Sequence, residues 1–101
     1  MVFCSILTIK EERIKIKTMK KIGLIGGITW QSTQLYYQLL NTKVAEILGG
    51  QNSCECIIES VNFADISSKQ AAGNWDTLHS QMTDIALRLQ NAGAEIILIC
   101  A

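Results

Sequence analysis

Apolar positions along the chain fall into three short runs and two longer periodic segments. Lys21–Ile25 is a short apolar run that ends at Gly26-Gly27, and it predicts a strand closing in a tight turn. From Trp30 to Leu48, apolar residues recur at Leu35, Tyr36, Leu39, Leu40, Val44, Ile47 and Leu48, the spacing of a helix with one buried face. Gly49-Gly50 stops it. Glu55–Val61 reads as a second strand, with Cys54, Cys56 and Ile58 on one face. Asn62-Phe63-Ala64-Asp65 reads as a loop, and Ile66–Ala72 as a short helix capped by Asp65. Asn74 is placed to cap a long helix whose stripe is Trp75, Leu78, Met82, Ile85 and Leu89, ended by Gly93. Glu95–Cys100 is continuously apolar, as a strand covered on both faces is.

Strand, helix, strand, helices, strand is the order of an α/β fold: a parallel sheet with flanking helices in three layers. The expected domain is 19–101, with 1–18 as an extension outside the fold; Met19 stands where a chain start would, directly before the first strand. Ligands of open α/β sheets sit beyond the carboxyl ends of the strands. The loops expected there are Gly26–Thr33, Asn62–Asp65 and whatever follows Cys100.

Composition narrows the function. Hydrophobic residues make up 49% of the chain and proline is absent, which suits a packed core rather than a linker. The net charge of zero conceals an asymmetry. Residues 1–21 carry Lys10, Arg13, Lys15, Lys17, Lys20 and Lys21 against Glu11 and Glu12, and the remainder is correspondingly acidic. The body therefore offers no basic face for nucleic acid. Residues 1–9 are apolar but far too short to span a membrane, and they lack the pattern of a signal peptide. The four cysteines do not form a disulfide framework, and one histidine without a Cys-x-x-Cys pair argues against zinc. Reduced thiols suit a cytoplasmic protein.

The glycine turn excludes two nucleotide motifs. Gly23-x-x-Gly26-Gly27 lacks the Gly-x-Gly-x-x-Gly spacing of a dinucleotide fingerprint, and no lysine follows it as in a phosphate loop. It is either an ordinary strand–helix turn or one that also holds a carboxylate at the helix start. For the second reading the candidate donors are Gly27, Thr29, Ser32 and Thr33. Trp30 either lines a pocket or anchors packing. Asn62 either bonds a substrate or caps its own loop. Cys100 ends a buried strand, where it either fills space or faces chemistry.

In this order, Ile22-Gly23-Leu24-Ile25-Gly26-Gly27-Ile28-Thr29-Trp30, Leu35-Tyr36-Tyr37, Ser60-Val61-Asn62-Phe63, Gly73-Asn74-Trp75-Asp76 and Ala92–Cys100 resemble the aspartate/glutamate racemase family over roughly 19–101. The resemblance implies the first part of a two-domain, pseudo-symmetric racemase fold, with a small amino-acid substrate, no cofactor, and a homodimeric full-length parent. Such racemases work without pyridoxal phosphate: two residues on opposite faces of the substrate, typically cysteines, remove and return the α-proton. The resemblance implies a catalytic role for Cys100, and a substrate-binding role for Gly27, Thr29, Trp30, Ser32, Thr33 and Asn62. In the family the first catalytic position lies directly before an Asn-Thr pair. If that pair followed Ala101, the position would be alanine, and Cys100 would lie one residue early. Residues 1–101 alone are accordingly expected to be inactive. A non-catalytic carboxylate-binding module and a disabled gene remnant are the alternatives.

Overall fold

The computed structural model describes residues 20–101. The expected extension, and Cys4 within it, lie outside the described residues. The elements run β1 (Ile22–Gly26), α1 (Trp30–Leu48), β2 (Cys56–Ser60), α2 (Phe63–Ala71), α3 (Trp75–Asn91) and β3 (Ile96–Ile99). The three strands form one parallel sheet in the order β2-β1-β3. β1 is central: Leu24 is paired with Ile58 on one side and with Leu98 on the other. Parallel neighbours need long crossovers, and α1 on one side and α2–α3 on the other supply them.

Alternation along β1 divides the core between the two faces. Ile22 and Leu24 pack with Leu40, Val44, Cys54, Leu98 and Cys100 under α1. Ile25 packs with Ile85, Leu89 and Ala94 under α3. Gly23 lies on the α3 side, where a Cβ would stand 2.9 Å from that of Ala94 and 3.1 Å from that of Leu89. A bare backbone at that point lets α3 lie close against the sheet.

The strands and the two long helices stand within a residue or two of their expected bounds. Several local expectations are corrected. The short helix begins at Phe63 rather than Ile66, and its cap is Asn62, whose Oδ1 accepts the Ala64 N–H at 3.1 Å. Asp65 instead sits inside the first turn, where its carboxylate accepts from Lys69 Nζ at 2.9 Å and from Gln81 Nε2 at 3.3 Å. Gln81 belongs to α3, so the trio ties α2 to α3. Asn74 occupies the cap position of α3 but makes no side-chain capping bond. Trp75 is 61% exposed, so the buried stripe of α3 starts at Leu78 and continues through Ile85 and Leu89. On α1, Leu35 and Leu39 face outward, and the buried face is Thr33, Leu40 and Val44.

Because β1 is covered on both faces, Leu24→Ala should lower the unfolding free energy by about 2–5 kcal/mol. Leu39→Ala on the exposed side of α1 should change it by less than about 0.5 kcal/mol. Urea titration followed by far-ultraviolet circular dichroism measures both; equal effects would contradict this assignment of faces.

Candidate active site

Parallel strands bring the ends of β1, β2 and β3 to one edge of the sheet, and the chain turns there into α1 and α2. The turn after β1 is built around two glycines. Gly27 has φ +88°, a conformation that L side chains rarely adopt. A Cβ on it would stand 2.1 Å from the Val61 carbonyl oxygen and 2.6 Å from the Val61 nitrogen. One on Gly26 would stand 2.7 Å from Cγ2 of Thr33. These contacts close β1, β2 and α1 onto one another. The Val61 N–H donates to the Gly26 carbonyl at 2.8 Å, extending the β1–β2 ladder past Ser60.

Thr33 is the buried polar residue of this turn, 8% exposed. Its Oγ1 accepts the Gly27 N–H at 2.9 Å and donates to the Thr29 carbonyl at 3.3 Å. Gly27 and Thr33 therefore spend their polar atoms on shaping the turn. Thr29 caps α1: its Oγ1 accepts the Ser32 N–H at 3.5 Å and donates to Ser32 Oγ at 3.3 Å. Trp30 and Gln31 open the helix, and first-turn N–H groups have no carbonyl within the helix to bond. No acidic side chain lies in this turn to compete for them. The result is a partly exposed pair of hydroxyls beside the positive end of a 19-residue helix. Trp30 stands beside it, 63% exposed.

Asn62 starts α2 from the neighbouring strand end. Its Oδ1 is taken by the Ala64 N–H, which realises the capping alternative for that atom. Cys100 follows β3, and its N–H donates to the Ile25 carbonyl at 2.9 Å. Its side chain is fully buried among Ile22, Leu24, Leu40, Val44 and Leu98. Burial pushes its thiol up to about 11. At neutral pH it is a protonated thiol without an opening to solvent. Tyr36 was in the predicted apolar stripe but was not expected at the site. Its hydroxyl donates to the Ala101 carbonyl at 3.4 Å while its ring packs on the core. The signal available for it was its spacing, one turn after Thr33 on the same helix face.

The described cations near these helices are already paired. Arg88 Nε donates to Glu59 Oε1 at 3.0 Å, and Lys69 is held by Asp65 and Gln81. Arg88 holds the Glu59 carboxyl below its usual range. Among the described residues no group of three or more His, Cys, Asp or Glu could hold a metal ion, and no helix is long and apolar enough to cross a membrane.

These elements define a parallel α/β domain with a hydroxyl-lined helix start at its carboxyl edge, the edge where open α/β sheets hold ligands. The pattern of the Asp/Glu/hydantoin racemases matches residues 25–101, and the chain belongs to that family. It is similar to the crystal structure of a protein from Yersinia pestis described as an Asp/Glu racemase, at 43% identity and a TM-score of 0.80. That match covers 82% of this chain and 36% of the Yersinia chain, so the present chain spans about a third of its length.

Gly27 and Gly49 both hold positive φ, but nothing lies within 4 Å of a Cβ on Gly49. Gly27→Ala should therefore cost about 1–3 kcal/mol more than Gly49→Ala in urea titrations, through overpacking against Val61. The buried thiols set a second expectation. Cys54 is pushed up to about 12 and Cys100 to about 11, against an ordinary value of 9.0. The unfolded chain ionises these thiols first, so unfolding releases protons above pH 9 and stability falls as pH rises from there toward 11. Cys100→Ala should flatten that fall, as read from urea midpoints across the range.

Proposed function

We propose that this chain forms one side of a cofactor-independent amino-acid racemase site for aspartate or glutamate, in a cytoplasmic protein. The observation that carries this reading is the family match combined with the open start of α1. In this reading the N–H groups of Trp30 and Gln31 and the hydroxyls of Thr29 and Ser32 hold the substrate α-carboxylate. Gly27 and Thr33 fix the turn that presents them. Trp30 walls the site, and the Asn62 amide group, its oxygen being taken, donates to the substrate from the next strand end.

Racemisation without a cofactor needs a proton acceptor on one face of the α-carbon and a donor on the other. At this edge the described residues offer one thiol, Cys100, and it is buried and protonated. A base at Cys100 would require the thiol to become exposed and its proton to be lost. Residues 1–101 by themselves are accordingly proposed to bind but not to turn over. The second reading, a carboxylate-binding module, is favoured if an Asn-Thr pair follows Ala101, because the position that the family resemblance makes catalytic would then be alanine, whose methyl group moves no proton.

Two measurements test the binding and the inactivity proposed for residues 1–101, and the assay on the longer protein separates the readings. Calorimetric titration of residues 1–101 with L-glutamate should show binding that Thr29→Val weakens. Exchange of the α-proton into deuterated water, with either enantiomer of aspartate or glutamate, should not exceed that of the Cys100→Ser variant. Turnover that disappears in that variant would assign the base to Cys100 in this chain. For the enzyme reading the same exchange assay applies to the longer protein carrying this segment; absence of exchange with every acidic amino acid would remove it.

A further inference from the structure

The exit of β2 carries a polar side chain that the site described above leaves unused. Cys56 packs in the cluster under α1, whereas Ile57 and Val61 pack in the cluster under α3. Side chains alternate along a strand. Ser60 shares the parity of Cys56, so it stands on the α1 face of the sheet. It pairs with Gly26 at the carboxyl edge, and it is exposed. Its Oγ lies 2.8 Å from the point that a Cβ on Gly27 would occupy. Among the described residues its hydroxyl has no hydrogen-bond partner. The other hydroxyls of this edge are engaged: Thr33 within the turn, and Thr29 with Ser32.

Asn62, two residues further on, has the same parity. Its Oδ1 is taken by the Ala64 N–H, which leaves the amide N–H groups to donate. Ser60 and Asn62 thus form a second set of donors, on the face of the sheet where α1 begins. The first set, at Thr29, Trp30, Gln31 and Ser32, follows β1. β1 and β2 are adjacent strands, and adjacent strands lie about 4.8 Å apart. The carbon chain between the two carboxylates of aspartate or glutamate spans a gap of that order. A ligand with one carboxylate fills one set, and a ligand with two fills both. Glu59 and Asp65, the carboxylates that flank this exit in sequence, do not oppose an anion there. Glu59 is on the other face, paired with Arg88 of α3, and Asp65 is held by Lys69 and Gln81.

We propose that Ser60, together with the Asn62 amide, holds the side-chain carboxylate of an acidic amino acid whose α-carboxylate sits at the start of α1. Ser60 is then the residue by which this chain distinguishes a dicarboxylic amino acid from a monocarboxylic one. The inference rests on the carboxylate reading of the α1 start. Hydrogen bonds from neutral donors to a carboxylate are charge-assisted, so the loss of one is read directly in affinity.

The test is calorimetric titration of the full chain with L-glutamate and with L-norvaline, which keeps the α-carboxylate and the ammonium but ends in a methyl group. Ser60→Ala should weaken L-glutamate binding by about tenfold and leave L-norvaline binding within about twofold. Thr29→Val should weaken both alike. Circular dichroism checks that Ser60→Ala, a change at an exposed position, keeps the fold. Equal losses for both ligands in Ser60→Ala, or no loss for L-glutamate, would overturn the proposal and leave the α1 reading in place. No binding of either ligand, or no effect of Thr29→Val on either, would overturn the α1 reading and this proposal with it.

Discussion

The close approach of Gly26 and Gly27 to Thr33 and Val61 is the constraint on which the rest of this structure depends. It joins the end of β1, the first turn of α1 and the exit of β2 within one contact. Thr33 accepts the Gly27 N–H and donates to the Thr29 carbonyl, so one buried hydroxyl satisfies the turn on both sides. The Val61 N–H on the Gly26 carbonyl then keeps β2 in register up to the point where Asn62 starts α2. Two helix starts thereby open at one sheet edge. A side chain at position 27 would separate β1 from β2 at the place where that edge is built.

The sheet and its long helices were legible because hydrophobic period reports burial directly. Lys21–Ile25, Glu55–Val61 and Glu95–Cys100 each overlap the observed strands, and the Leu40–Val44 and Leu78–Ile85–Leu89 spacings mark the faces that are buried. What the pattern could not report was which large apolar residues go unburied. Trp30, Leu35, Leu39 and Trp75 are exposed although each satisfies an apolar position. Period sorts residues by face, but contact depends on where the neighbouring element lies. The Asn62 and Asp65 exchange has a similar cause. Both residue types cap helices, and a boundary three residues away makes either plausible until the Ala64 N–H is located.

The candidate site was legible as a turn and a helix start, and less so as chemistry. Spacing identifies Thr29, Ser32 and Thr33 but not their division of labour: Thr33 is internal to the turn, whereas Thr29 and Ser32 remain partly exposed. Cys100 was identified by its strand end, yet only packing reveals a thiol enclosed by Ile22, Leu24 and Leu98. Tyr36 passed as part of an apolar stripe because its ring does pack there, while its hydroxyl emerges beside Ala101. Arg88 and Lys69 are each paired with a carboxylate. In the proposed reading the described residues would therefore hold a carboxylate through backbone N–H groups and hydroxyls.

The central claim is that the start of α1 is where a substrate carboxylate is held. Amide chemical-shift mapping of the chain during titration with L-glutamate tests it most directly. The account predicts the largest shifts at Trp30, Gln31 and Ser32, with a smaller response at the Asn62 side-chain amide and none along Cys54–Ile58. Shifts centred on the amino edge of the sheet, or none at the α1 start at saturating ligand, would contradict it.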